Sequence, residues 1–185
     1  MLLLFAVALA ADPVAVPKVG SCPSGYSTSG DYCAPSGSAR YAVVKTGSCP
    51  SGYSTSGDYC LAGADDSPVA VPKGGSCPSG FSTSGDYCLG SARSEPTPST
   101  GRHTPPAAPV KKVGSCPSGY STSGDFCSPG SSARYAVIKV GSCPSGYSTS
   151  GDYCLASSDT SGHATPKTGS CPSGYSTSGD YCLSS

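Results

Sequence analysis

Apolar side chains occur along this chain in short runs that are separated by Gly, Pro and Ser. Residues 41–45 (Tyr-Ala-Val-Val-Lys) and residues 135–139 (Tyr-Ala-Val-Ile-Lys) combine aromatic and β-branched residues, as short strands do. Residues 14–18 and 69–73 share the sequence Val-Ala-Val-Pro-Lys after a proline, which suits an edge strand or a polyproline-like segment. Because Gly, Pro and Ser all oppose helix formation, the pattern predicts an all-β chain.

One motif, C-P-S-G-[YF]-S-T-S-G-D-[YF]-C, accounts for every cysteine and occurs six times. The spacing between successive first cysteines is 27, 28, 39, 27 and 28 residues, so the copies form two triplets of a repeat array. Only the two aromatic positions vary, with Phe81 in the third copy and Phe126 in the fourth. The copies, called modules below, are bounded by Cys22 and Cys33, Cys49 and Cys60, Cys77 and Cys88, Cys116 and Cys127, Cys143 and Cys154, and Cys171 and Cys182.

Turn residues inside the motif predict a β-hairpin. The opening Cys-Pro-Ser-Gly places Pro at i+1 and Gly at i+3 of a type I turn. In the first copy, residues 28–30 fit a three-residue hairpin loop, and this register pairs Tyr26 with Tyr32 across the strands. A two-residue turn at residues 29–30 would instead place Tyr26 opposite Cys33. We favour the first register.

The predicted organisation follows the two triplets. Residues 1–10 form a signal peptide and residues 11–21 an N-terminal segment. The first triplet spans residues 22–88, with modules at 22–33, 49–60 and 77–88, and the second spans residues 116–182, with modules at 116–127, 143–154 and 171–182. Residues 89–115, rich in Pro, Ser and Thr, are typical of a semi-rigid linker.

Pairing within each module is the disulfide pattern that treats all six copies alike, so we predict six local bridges. We therefore expect small disulfide-rich all-β hairpin repeats, six modules arranged as beads on a string with extensive coil or disordered linkers. Closing so short a loop contributes roughly 3 kcal/mol. A lone module buries little apolar surface. Lasting order would therefore require packing against neighbouring modules or against strands of the connectors, the segments that precede each module.

The first ten residues, MLLLFAVALA, have the apolar stretch and small-x-small ending of a secretory signal, although they lack a basic n-region. Ten residues are too few to span a bilayer. Twelve cysteines independently favour an oxidising compartment. We expect a secreted, periplasmic or cell-surface protein with no stable membrane span after removal of the signal.

Charge and composition exclude several function classes. The net charge is zero and no basic stripe is present, which argues against a nucleic-acid partner. The cysteines are not spaced as zinc ligands are, and both histidines, His103 and His163, lie outside the motif. No serine has an evident base beside it in the sequence, so we expect no catalytic residues, no metal and no cofactor.

The aromatic residues of the motif have two interpretations. They could form a contact surface for sugars or a protein partner, or they could cover the disulfide as the core of each module, which we favour. The set comprises Tyr26, Tyr32, Tyr53, Tyr59, Phe81, Tyr87, Tyr120, Phe126, Tyr147, Tyr153, Tyr175 and Tyr181. A lysine precedes each module and an aspartate precedes each second aromatic residue, and we interpret these as exposed ion pairs of little energetic value.

The module resembles the short C-P-S-G-Y-x-x-S-G-x-Y-C repeats of small secreted proteins of marine cyanobacteria, a family without an established activity. The resemblance covers the modules and not the connectors, and it implies secretion. We expect a non-enzymatic repeat protein with a multivalent binding or structural role at the cell envelope, with a polysaccharide or a protein as partner. The alternative is a precursor or toxin-like peptide array that is released by cleavage at the connectors.

Overall fold

The computed structural model describes residues 13–65, 67–90, 107–158 and 160–184. The signal peptide expected at residues 1–10 lies outside the described residues, and so do residues 91–106 of the expected linker. The rest of that linker segment is partly strand, because Leu89 and Gly90 end one strand and Val110–Lys111 forms another.

The described chain is all-β, with six three-stranded antiparallel sheets, one per module. Each sheet consists of a connector strand that precedes the motif and the two strands of the hairpin. In the first triplet the strands are β1 (Val16–Pro17), β2 (Tyr26–Ser29), β3 (Tyr32–Pro35), β4 (Ala42–Val44), β5 (Tyr53–Ser56), β6 (Tyr59–Ala62), β7 (Ala70–Pro72), β8 (Phe81–Ser84) and β9 (Tyr87–Gly90). In the second they are β10 (Val110–Lys111), β11 (Tyr120–Ser123), β12 (Phe126–Pro129), β13 (Ala136–Ile138), β14 (Tyr147–Ser150), β15 (Tyr153–Ala156), β16 (Ala164–Pro166), β17 (Tyr175–Ser178) and β18 (Tyr181–Ser184).

The second hairpin strand is central in every sheet, as in the order β1-β3-β2. The connector strand is therefore an edge strand, which explains why Pro17, Pro72 and Pro166 are tolerated there. The predicted strands at residues 41–45 and 135–139 are present as β4 and β13, shorter at each end by one residue. The prediction of disulfide-rich β-hairpin repeats is confirmed.

Both turns of the motif differ from the predicted ones. The first turn begins one residue later, because the Tyr26 amide donates to the Pro23 carbonyl at 3.0 Å. Gly25 then occupies i+2 with φ of 84°, as a type II turn requires, so the predicted type I turn was wrong. The hairpin loop is the two-residue pair Gly30-Asp31. Gly30, with φ of 59°, takes the first central position, where a type II′ turn places glycine.

This shorter loop changes the register of the hairpin. Ser29 lies opposite Tyr32, Thr28 opposite Cys33 and Tyr26 opposite Pro35. Both registers considered from the sequence were therefore wrong, and the two aromatic positions do not form a cross-strand pair. Instead they lie on opposite faces of the sheet, since residues opposite one another share a face and successive residues alternate.

All six predicted disulfides are present. They join Cys22–Cys33, Cys49–Cys60, Cys77–Cys88, Cys116–Cys127, Cys143–Cys154 and Cys171–Cys182. The second cysteine lies on the central strand and is fully buried wherever it occurs. Each bridge thus anchors the chain that enters the hairpin to the middle of its own sheet.

The hydrophobic core lies between modules rather than within them. Tyr59 of the second module packs on Val16 and Cys33 of the first. Tyr87 of the third packs in the same way on Val43 and Cys60 of the second. Each module therefore presents its disulfide face to the next module and covers that of the previous one with its second aromatic residue.

The array closes on itself. The Tyr32 hydroxyl of the first module donates to the Pro166 carbonyl of the sixth at 2.8 Å and accepts from the Thr168 amide at 3.0 Å. Connector strands of neighbouring modules contact one another, β1 with β4 and β10 with β13, which places them on the inner side of the ring. Small sheets stacked face to face around a ring resemble the blades of a β-propeller, here with three strands each.

Candidate functional site

The second aromatic position of each module is an interface residue. Tyr59 is inaccessible to solvent, and its hydroxyl donates to the Pro17 carbonyl at 2.9 Å and accepts from the Val19 amide at 2.7 Å. The same hydroxyl lies 3.5 Å from Cys33 Sγ of the preceding module. The tyrosine thus satisfies two backbone groups where the neighbouring connector strand ends. Equivalent bonds to the preceding connector are made by Tyr32, Tyr87, Tyr153 and Tyr181.

The first aromatic position bonds in the opposite direction around the ring. The Tyr26 hydroxyl donates to the Arg40 carbonyl of the following connector at 2.9 Å, and the Tyr53 hydroxyl donates to the Pro68 carbonyl at 2.6 Å. Tyr120 and Tyr147 donate likewise to Arg134 and Gly162. The rings are partly buried, and Tyr147 is buried. Each interface with tyrosine at both of its aromatic positions is therefore bonded from both sides.

Two short polar side chains complete the interface. The Ser24 amide donates to Ser56 Oγ of the following module at 3.0 Å. The Asp58 carboxylate lies against Gly20 of the preceding module, where a Cβ atom would collide with Oδ2. Since Gly20 also has a φ of 66°, glycine is required there for both reasons. The aspartates are therefore packing groups, and the expected ion pairs with the connector lysines do not form among the described residues, where Arg40 and Asp65 make the single ion pair.

An aromatic cluster occupies the inner side of the ring. Tyr41 of the second module and Tyr135 of the fifth occupy the same position of their connectors, one residue before the strand. Burial raises the pKa of Tyr41 to about 12. Burial, and then the neighbouring phenols of Tyr147, Tyr120, Tyr41 and Tyr175, hold the pKa of Tyr135 well above its usual value. These phenols therefore remain protonated at neutral pH and act as hydrogen-bond donors.

His163 fills the corresponding position of the sixth module. Its ring lies 5.3 Å from that of Tyr135 and 6.2 Å from that of Tyr175, and Nδ1 lies 3.4 Å from the Tyr175 hydroxyl. The same hydroxyl accepts from the Ala15 amide of the first module at 3.3 Å. Burial lowers the pKa of His163 to about 4, so the imidazole is neutral at neutral pH. No serine hydroxyl contacts its ring nitrogens among the described residues.

His163 should make the stability of the ring depend on pH. The unfolded chain takes up a proton near pH 6.5, whereas the folded chain resists it down to about pH 4. The stability present above pH 6.5 is therefore lost progressively as the pH falls toward 4, by up to about 3 kcal/mol from this group. Denaturant unfolding between pH 4 and 7 measures the slope.

The matched control for this prediction is H163Y, which introduces the residue found at the equivalent positions 41 and 135. The variant should lose most of the decline between pH 6.5 and 4.5 relative to the original chain. Equal slopes in the two proteins would mean that His163 titrates normally, and thus that the cluster is open to solvent.

The structure divides the twelve aromatic residues considered from the sequence into two groups. The second positions are buried between modules, and all except Phe126 are hydrogen-bonded there, so they present no surface for a ligand. The first positions are partly buried, and a ligand contact at their rings stays a prediction. Sequence reasoning did not single out Tyr41, Tyr135 and His163, because the two tyrosines were considered only as parts of predicted strands and His163 only as a residue outside the motif. Their shared distance before the following cysteine, 8 residues, was the available signal.

What each module does expose is a polar edge. On the outer hairpin strand, the central Ser-Thr pair is exposed in every module, as at Ser27 and Thr28. The hairpin turn and the connector lysine are exposed as well, as at Asp31 and Lys18. We call the six Ser-Thr pairs the hydroxyl edge: Ser27 and Thr28, Ser54 and Thr55, Ser82 and Thr83, Ser121 and Thr122, Ser148 and Thr149, and Ser176 and Thr177.

The described residues contain no cluster of three or more His, Cys, Asp or Glu side chains that could hold a metal ion. They also contain no helix long and apolar enough to cross a membrane. The six disulfides indicate an extracellular or otherwise oxidising compartment.

No protein-family model, curated protein sequence or solved structure matches the chain. The resemblance to cyanobacterial repeats therefore stays an expectation.

Proposed function

We propose that this is a secreted, non-enzymatic protein that binds a hydroxylated polysaccharide of the cell envelope through several equivalent sites. The observation that carries the proposal is the hydroxyl edge, which is exposed in all six modules of a closed ring. Serine and threonine hydroxyls both donate and accept hydrogen bonds, and so do the hydroxyls of a sugar polymer.

The ring matters for this function because it holds the six edges at fixed positions. Hydrogen bonds between hydroxyls exposed to water are individually weak. Linking weak sites makes each further contact intramolecular, and the gain can reach about 10²- to 10⁴-fold when the geometry permits simultaneous binding. A polymer with a repeating unit is the ligand that can use such an array.

The precursor alternative has less support. Cleavage at the connectors would release separate modules only if the connectors were independent of the fold. Connector strands such as β4 are hydrogen-bonded into the sheet of their own module and bonded by tyrosines of the neighbouring modules. A cut there would therefore damage both the module and its interfaces.

Binding of the intact chain to a panel of envelope polysaccharides tests the proposal. The decisive variants replace the serine of the hydroxyl edge with alanine, either in the first triplet (S27A, S54A, S82A) or in all six modules. We expect a loss of more than half the binding free energy with three substitutions and no measurable binding with six, because avidity falls steeply with the number of sites.

The control variant replaces the six exposed connector lysines with glutamine, namely Lys18, Lys45, Lys73, Lys112, Lys139 and Lys167. It should bind uncharged polysaccharides as the original chain does. Absence of binding to every polysaccharide, or loss of binding in the lysine variant alone, would contradict recognition through hydroxyl groups.

A further inference from the structure

The interface between the third and fourth modules, here called the seam, differs from the other five. Both phenylalanines of the motif fall on it. At the second aromatic position, Phe126 has no hydroxyl to bond the Pro72 carbonyl and the Gly74 amide, which correspond to Pro17 and Val19 at the first interface.

The first aromatic position of the seam lacks its hydroxyl too. Phe81 cannot donate to the carbonyl of Ala107, which corresponds to Arg40 at the first interface. The two substitutions are 45 positions apart in the sequence, yet they remove the tyrosine bonds from both sides of a single interface. Each of the other five interfaces retains tyrosine hydroxyl bonds from both sides.

A third deviation lies on the same face. Ser128 stands where most modules have leucine, as at Leu61, and it shares its sheet face with Phe126. Its hydroxyl is buried and has no hydrogen-bond partner among the described residues. A buried hydroxyl without a partner destabilises the state in which it is buried, and opening of the seam would expose it to water.

The seam is nevertheless formed. The Ser79 amide donates to Ser123 Oγ at 2.8 Å, and the Asp125 carboxylate lies against Gly75, as at the other interfaces. Free chain ends do not explain the difference, because the interface between the sixth and first modules, which also joins the two triplets, keeps the Tyr32 bonds. The deviations are thus specific to the seam.

We infer that the ring is built to open at the seam while its other five interfaces stay closed. Among the described residues, opening there breaks no tyrosine hydroxyl bond and exposes the buried Ser128 hydroxyl to water, whereas opening elsewhere breaks tyrosine hydroxyl bonds. Because the chain itself joins the third module to the fourth, the opened ring remains one molecule. This inference does not depend on what the ring binds.

Native-state amide hydrogen exchange tests this directly, since each interface carries one matched reporter. The amides of Ser24, Ser51, Ser79, Ser118, Ser145 and Ser173 each donate to a serine Oγ of the adjacent module. We expect the Ser79 amide to exchange about 30-fold faster than the other five, as the absence of two or more net hydrogen bonds implies.

Two variants test whether the missing tyrosine hydroxyls cause the faster exchange at the seam. In F81Y/F126Y the restored hydroxyls should slow exchange of the Ser79 amide to the rate of the other five and leave those unchanged. In the reciprocal variant Y26F/Y59F, the amide of Ser24 at the first interface should exchange about as fast as the Ser79 amide. Equal protection of all six amides in the original chain would overturn the inference, and so would earliest exchange at Ser173 or no effect of F81Y/F126Y.

Discussion

Reduction of the six disulfides is expected to unfold the ring. Each bridge closes a loop with a sequence separation of 11 residues and so contributes roughly 3 kcal/mol. Six such contributions, about 18 kcal/mol together, exceed the total stability of a typical domain. The second cysteines are also buried against the neighbouring module, so that reduction disturbs the core between modules as well as the hairpins.

The measurement is amide hydrogen exchange before and after addition of a reductant. We expect the protected amides of the central strands to lose their protection throughout the ring. The matched control is the double variant C49A/C60A, which removes one bridge without leaving a free thiol and should lose about 3 kcal/mol in denaturant unfolding. Protection that persists after complete reduction would mean that the modules fold without their bridges, contrary to this account.

Replacing Tyr59 with alanine is expected to destabilise the ring by about 4 kcal/mol, the usual loss for a large buried aromatic side chain. Tyr59 is inaccessible to solvent, fills the space between the first and second modules and bonds two backbone groups of the first connector. Denaturant unfolding of the oxidised protein, with the disulfides intact, measures the change.

Two further variants separate the parts of this effect. Y59F keeps the aromatic side chain and removes its hydroxyl, so the free energy of unfolding should fall by about 1–2 kcal/mol. T55A alters an exposed residue of the same module and should change the stability by less than about 0.5 kcal/mol. A loss below about 1 kcal/mol for Y59A would indicate that the modules fold independently of one another.

The elements that were predictable from the sequence are those with local causes. Six nearly identical motifs made local disulfides the simplest pairing, and Cys22–Cys33 and its five counterparts are bridged in that way. The runs at residues 41–45 and 135–139 form strands because β-branched and aromatic residues suit a sheet edge.

The hairpin register was not predictable, because two glycine-containing turns compete over the same residues. Serine, threonine and glycine fit either loop length locally. The Gly30-Asp31 turn places Tyr26 and Tyr32 on opposite faces, whereas the favoured register would place both on one face. Tyr26 then bonds the connector of the following module and Tyr32 that of the preceding module in the ring, so contacts with other modules favour this register.

Packing between modules was the other feature that local patterns could not reveal. The sequence indicated that a lone module buries too little, and the ring meets that need by placing Tyr59 and its counterparts on the disulfide of the preceding module. The partner of Tyr32 lies 136 residues away at Thr168, and no pattern within a module specifies that contact. The effect of phenylalanine at position 126 on an interface is apparent only when the module that packs against it is known.

The most direct test of the account asks whether the first and sixth modules touch. Ser29 and Ser173 have Oγ atoms 3.3 Å apart, although 144 positions separate them in the sequence. The variant S29C/S173C should form an additional intramolecular disulfide under mild oxidation, identified by peptide mapping. In S24C/S56C the equivalent contact lies between the first two modules, so this variant is the positive control. In S29C/S118C the two cysteines lie in modules on opposite sides of the ring, so this variant is the negative control. The closed ring predicts a link between positions 29 and 173 as efficient as that between 24 and 56. A link in S24C/S56C without one in S29C/S173C would show an open string of modules and contradict the ring.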